Sequence, residues 1–218
     1  MIKCLIFDCD GTLVDSEYLC NLGLVIKLGE YEIQEDAQCL MKRYRGWKLA
    51  NIIQNLEETH NQKFAEDFVH SYRAVVSTLF KSELRPIAEV KQTLTNITLP
   101  KCVASSGPMN KIQEALELTG LSHFFANNLF SSYDVKLWKP DPGLFLHAAK
   151  VMGYRPEECA VIEDSSLGID AALAANMRAI YYSYEGHQHS DSRVESLTKM
   201  SQLLNIVRRE RDTRSSDT

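Results

Sequence analysis

No apolar run in this sequence approaches the roughly 20 consecutive residues that cross a bilayer, which excludes a transmembrane helix as an organising element. The first residues lack the basic segment and apolar stretch of a secretory signal, so a cytoplasmic protein is expected. Basic residues are too few for a nucleic-acid surface. The chain has 24 Lys and Arg against 29 Asp and Glu, a net charge of −5, and no basic stripe. Its six cysteines (Cys4, Cys9, Cys20, Cys39, Cys102, Cys159) form no C-x-x-C pair and no zinc-finger spacing. Cys4, Cys102 and Cys159 sit in apolar strand-like runs, where a thiol behaves as a small hydrophobe; reduced, buried cysteines are expected. Internal repeats are absent as well.

What is present is ordinary globular material, 44% apolar and 24% charged over 218 residues, enough to build a core without a metal or disulfide staple. Short β-like runs at 2–7, 101–104, 128–130, 159–162 and 178–182 alternate with helical stretches at 109–119, 142–152 and 165–175. That alternation predicts a doubly wound, Rossmann-like α/β core with a parallel sheet. The three helices stop at Gly120, Gly153 and Asn176, residue types that readily take the left-handed conformation closing a helix. The segment 16–84 carries no strand signal but four helical patterns, at 17–29, 36–44, 48–59 and 66–80. The predicted organisation is therefore a catalytic core from 1–15 and 85–218 with an inserted α-helical cap at 16–84. The polar, aperiodic tail 208–218 is expected to fray.

Open parallel sheets bind ligands beyond the carboxyl ends of their strands, and the polar signatures fall there. Asp8, Asp10 and Thr12 follow the first strand, Ser105 and Ser106 the second, and Glu163 and Asp164 another, while Lys139 lies in a loop leading into a helix. Carboxylates converging in this way repel one another and hold on to protons. A hard divalent cation such as Mg²⁺ relieves that repulsion through oxygen ligands, with Asp8 and Asp164 as side-chain ligands. Lys139, the Ser105 hydroxyl and nearby backbone N–H groups complete a pocket suited to phosphate. Phosphoryl transfer then needs a nucleophile and a proton donor for the leaving oxygen, and Asp8 and Asp10 can divide those two tasks. Gly11 allows the sharp turn between strand and loop, and Thr12 can donate to Asp10 or to the phosphate.

Asp8-x-Asp10-Gly11-Thr12, Ser105, Lys139 and Glu163-Asp164-Ser165-x-x-Gly168, in that order, resemble the four motifs of the haloacid dehalogenase-like hydrolase superfamily. The helical segment also stands where that superfamily carries its type 1 cap. The resemblance implies Asp8 as nucleophile, Asp10 as acid/base, Ser105 and Lys139 as phosphate contacts and Asp164 as a metal ligand. It also implies coordination of magnesium by the main-chain carbonyl of Asp10, with Glu163 binding the ion directly or through its waters. Two positions depart from the usual pattern: Asn176 stands where relatives often have Gly, and Ser106 where many have Asn. Arg43 through Leu49, and Ser132 through Pro142 with Phe145, His147, Lys150 and Met152, resemble the bacterial 6-phosphogluconate phosphatases, a branch of that superfamily. A sugar-acid phosphate or related sugar phosphate is the substrate this implies, with Arg45 and Lys48 as partners for its carboxylate or hydroxyls. Arg73, on another helical pattern, reads as a charge on a solvated face.

A sugar phosphomutase would share the aspartyl-phosphate and every catalytic motif. A dehalogenase would need neither the metal set nor Asp10. A phosphoacceptor signalling module would be about half this length, with its acceptor in mid-chain.

Overall fold

The computed structural model describes residues 1–212. Six parallel strands form one sheet in the order β3-β2-β1-β4-β5-β6. β1 (Cys4–Phe7) lies at the centre, and its register pairs Phe7 with Val103 on one side and Ile162 on the other. The chain then enters four consecutive helices: α1 (Glu17–Gly29), α2 (Ala37–Tyr44), α3 (Leu49–His60) and α4 (Phe68–Glu83). It continues through α5 (Val90–Asn96), β2 (Lys101–Ser105), α6 (Met109–Leu118) and β3 (Leu129–Ser131). The short α7 (Ser132–Val135) and α8 (Gly143–Met152) precede β4 (Cys159–Glu163), α9 (Ser166–Ala174) and β5 (Arg178–Tyr182). β6 (Glu195–Leu197) and α10 (Leu203–Asp212) close the chain. None of the described helices is long and apolar enough to cross a membrane.

Strand alternation sorts the core into two apolar layers. Leu5 and Phe7 of β1 join Val90, Leu94, Ile112, Leu116, Leu203 and Ile206 on one face. Cys4 and Ile6 join Leu144, Phe145, Ala148, Ile169 and Ala172 on the other. Such continuous burial on both faces is what an all-parallel sheet covered by helices requires. The first layer also runs on into the inserted helices through Leu24, Leu28, Leu40, Leu56 and Phe80. Exit and return are paired: the Asp15 N–H donates to the Arg85 carbonyl at 2.9 Å, the Ile87 N–H to the Leu13 carbonyl at 2.9 Å, and Val14 bridges Pro86 in antiparallel sense.

The expected helix stops hold, since Gly120, Gly153 and Asn176 have φ of 65°, 79° and 57°. Cys4, Cys9, Cys102 and Cys159 are buried, Cys20 is half-buried and Cys39 exposed; all six are free thiols. The expectation of a frayed tail is corrected as far as Asp212. Leu203, Ile206 and Val207, three and four residues apart, bury one face of α10 against the sheet layer. Residues 213–218 of that tail lie outside the described residues. The sixth strand and α5 gave no usable sequence signal, being only 3 and 7 residues long.

Candidate active site

Phe7 of β1 lies in register with Val103 of β2 and Ile162 of β4, so the residues that follow these three share one rim of the sheet. After Asp8 the chain turns back on itself: the Leu13 and Val14 N–H groups donate to the Cys9 carbonyl at 2.9 and 3.1 Å, and the Gly11 N–H to the Val14 carbonyl at 2.9 Å. Gly11 holds φ +76°, and a Cβ there would come within 2.3 Å of Asp164 Oδ2; only glycine allows the turn to pass so near that carboxylate.

Lys139 Nζ lies between two buried carboxylates, donating to Asp8 Oδ1 and, at 2.6 Å, to Glu163 Oε2. Glu163 Oε1 in turn accepts from the Asp164 N–H at 3.1 Å and from the Ser165 N–H and Oγ at 3.0 and 2.9 Å. Gly168 makes room for this, since a Cβ there would meet Glu163 Oε2 at 2.0 Å. Thr12 Oγ1 donates to Asp164 Oδ1 at 3.3 Å; of the roles expected for Thr12, the bond to Asp10 is replaced by this one. Asp8, Glu163 and Asp164 each present a carboxylate oxygen within 4.8 Å of the others, all buried. Burial and the neighbouring Glu163 push the Asp8 carboxyl well above its ordinary value, against the pull of Lys139. Burial, with Glu17, Glu163 and Asp8, does the same to Asp164. Two carboxyls pushed up in this way, with the Glu163 oxygens beside them, make a set of hard donors that fits a divalent cation, which would remove the repulsion.

Asp10 has a different environment. Its Oδ1 accepts from Lys111 Nζ at 2.7 Å and from Ser16 Oγ at 2.5 Å. Burial pushes this carboxyl up, but the Lys111 ammonium and the two hydrogen bonds outweigh it and hold it below the ordinary value. Neither Lys111 nor Ser16 was anticipated. Lys111 nonetheless carries a faint signal: a cation in the first turn of α6 opposes the helix dipole, and a broken local rule marks a residue with another task.

Asp8, Asp10, Lys111, Lys139, Glu163 and Asp164 line a cavity of about 490 Å³ beneath the inserted helices, within the roughly 300–1,000 Å³ usual for small-molecule sites. Ser105 and Ser106 are on its wall, and Ser105 Oγ accepts from the Gly107 N–H at 3.0 Å. Of the two cap cations expected at the substrate, Lys48 lines the cavity with its Nζ 3.6 Å from the centre of the Trp138 ring. Arg45 instead donates through Nε to Glu17 Oε2 at 2.9 Å. Arg73, expected on a solvated face, lines the cavity and donates to the Tyr133 hydroxyl at 3.1 Å.

The profile of the haloacid dehalogenase-like hydrolases matches residues 2–176. The chain is 40% identical over 205 residues to the 6-phosphogluconate phosphatase of Escherichia coli, covering 93% of each chain. It is 31% identical over 179 residues to the fructose-1-phosphate phosphatase of the same organism, covering 81% of this chain and 94% of that one. In fold it is similar to a haloacid dehalogenase-like protein of unknown function from Agrobacterium tumefaciens, with a TM-score of 0.81, 27% identity and coverage of 96% and 99%.

Proposed function

The chain belongs to the haloacid dehalogenase-like hydrolases, and on that premise we propose that it is a magnesium-dependent phosphatase of a sugar or sugar-acid phosphate. The observation that carries this reading is the buried Asp8–Lys139–Glu163–Asp164 group at the strand ends, opening on a cavity of metabolite size. Two relatives act on phosphorylated sugars or sugar acids by name, which supports the substrate class.

In this reading Asp8 attacks phosphorus, forming an aspartyl-phosphate as the bond to the sugar oxygen breaks. Asp10, protonated, gives its proton to that oxygen. Once the alcohol has left, Asp10 takes a proton from water as the water attacks phosphorus, and inorganic phosphate departs with Asp8 free again. An entering phosphate dianion raises the Asp10 carboxyl towards the protonated form, while Lys111 and Ser16 fix its position. Lys139 neutralises Asp8 and contacts the phosphoryl oxygens together with Ser105 and Ser106; Thr12 and Glu163 orient Asp164 and Lys139. Asp8, Asp164 and the main-chain carbonyl of Asp10 would hold magnesium, with Glu163 behind them, and the ion supplies charge neutralisation to the transferring phosphoryl group. The segment 16–84 serves as the cap, excluding bulk water when closed over the core of 1–15 and 85–218.

The test is release of inorganic phosphate from a panel of sugar and sugar-acid phosphates, with magnesium and with chelator. Magnesium-dependent release, lost in Asp8→Asn, is the expected result. Isomerised sugar phosphate without free phosphate would replace the phosphatase by a mutase. A long-lived phosphoprotein with no turnover would make the chain a phosphoacceptor.

A further inference from the structure

Among the described residues, four lysine and arginine side chains line the cavity: Lys48, Arg73, Lys111 and Lys139. Two are engaged by protein carboxylates, Lys139 by Asp8 and Glu163 and Lys111 by Asp10. The remaining carboxylates of the wall also have partners. Glu17 faces Arg45, Asp164 accepts from Thr12, and Glu114 accepts from Ser77 Oγ at 2.6 Å with Lys81 Nζ at 3.9 Å. Among the described residues no carboxylate pairs with Lys48 or Arg73.

Both cations rest on aromatic rings. Lys48 Nζ is 3.6 Å from the centre of the Trp138 ring, and Arg73 Cζ is 5.4 Å from that of Tyr133, while the two rings meet edge to face at 5.5 Å. A ring face attracts and orients a cation without cancelling its charge. Lys48 also stands immediately before α3, whose first turn has no capping side chain and no acidic residue. Trp47 and Leu49 beside it line the same cavity. Two unneutralised cations and an uncapped helix start, on the wall contributed by the inserted helices, make a surface for an anion.

We propose that Lys48 and Arg73 bind a second anionic group of the substrate, a carboxylate remote from the phosphate, so that the enzyme selects sugar-acid phosphates over neutral sugar phosphates. The phosphatase reading above enters only in assigning the phosphate to the Asp8 end. Arg73 can meet a carboxylate with two parallel N–H donors, whereas Lys48 acts as a point charge. Lys111 and Lys139 are withdrawn from this task by their own carboxylates.

Binding and turnover separate the two readings. Non-cleavable phosphonate analogues of a six-carbon aldonic acid 6-phosphate and of the matching alditol 6-phosphate differ only by carboxylate against hydroxymethyl. Titrated calorimetrically with magnesium, the wild-type protein is expected to prefer the carboxylate analogue by about tenfold or more. Lys48→Met and Arg73→Met each shrink that preference, and the double variant brings it close to one while binding the alditol analogue within about threefold of wild type. Tyr133→Phe, which keeps the ring, changes the preference less than Arg73→Met. Melting temperatures check that each variant is folded. An absent preference in the wild type, a preference untouched by the variants, or equal weakening of both analogues would overturn the subsite; in the last case the cations only brace the inserted helices. Phosphate release from the true esters, assayed in parallel, tests the other reading. Strong preference without any release removes the phosphatase and leaves the subsite standing, and release without preference does the reverse.

Discussion

The two walls of the cavity are built on opposite principles. On the sheet side the key side chains are held by several partners: Lys139 by two carboxylates, and Glu163 by the Lys139 ammonium, two backbone N–H groups and a hydroxyl. On the helical side Lys48 and Arg73 are held by ring faces and one hydroxyl, and Trp47 is 45% exposed. Groups that must meet a phosphorus atom to within fractions of an ångström are fixed from many directions. Groups that meet the variable end of a metabolite are tethered lightly and can adjust. In the reading proposed above, the sheet wall carries chemistry and the helical wall recognition.

The division is tested most severely at Asp8. Asp8→Asn is expected to lower phosphate release by roughly 10⁴- to 10⁶-fold with the fold retained, as steady-state kinetics and circular dichroism will show; a loss below tenfold would move the nucleophile elsewhere. Next in size is a stability effect across the boundary. Leu56 of α3 is fully buried in the apolar layer shared with the sheet, so Leu56→Ala should cost about 2–5 kcal/mol. Denaturant melts should still show one transition, whereas two would mean that the helical wall unfolds by itself.

Magnesium comes third. The Asp8 and Asp164 carboxyls titrate above their ordinary values when folded. In metal-free protein their contribution therefore favours the fold at low pH and is lost as pH rises through those raised values. A cation displaces the protons and reverses the trend. At a hundredfold excess over its dissociation constant, magnesium should add about 2.7 kcal/mol of stability, visible in scanning calorimetry. The gain should be larger near pH 8 than near pH 5; an equal gain at both would place the metal away from these carboxylates. The smallest effect expected is that of Lys111→Met, a fall in kcat/KM of about 10- to 100-fold. Asp10 is released from its partner and titrates higher, which carries the alkaline limb of the pH–rate profile upward. A merely structural role for Lys111 would leave that limb in place.

What could be read from the sequence follows the same line. Asp8, Asp10, Thr12, Glu163 and Asp164 are legible because each follows an apolar strand within a residue or a few, and parallel strands deliver their ends to one rim. The stops at Gly120, Gly153 and Asn176 are legible because backbone geometry at a helix end selects few residue types. Arg45 with Glu17, Lys111 with Asp10 and Lys48 with Trp138 were out of reach. Their partners lie 28, 101 and 90 positions away, and nothing local distinguishes a charge that finds such a partner from one left in water. Arg45, expected at the substrate, pairs with Glu17, and Arg73, expected on a solvated face, lines the cavity, for that reason.

Because the chain leaves and re-enters the sheet through one antiparallel pair at Val14 and Pro86, the whole segment from 16 to 84 hangs from a stalk whose two ends are already joined. Closing a loop costs only about 0.6 kcal/mol more for each doubling of its length, so the stalk is nearly indifferent to how much chain it carries. A descendant can lengthen, shorten or exchange what hangs there, provided the replacement re-forms the apolar layer that the inserted helices share with the core. Lineages built on this plan can change their diet without relearning their chemistry.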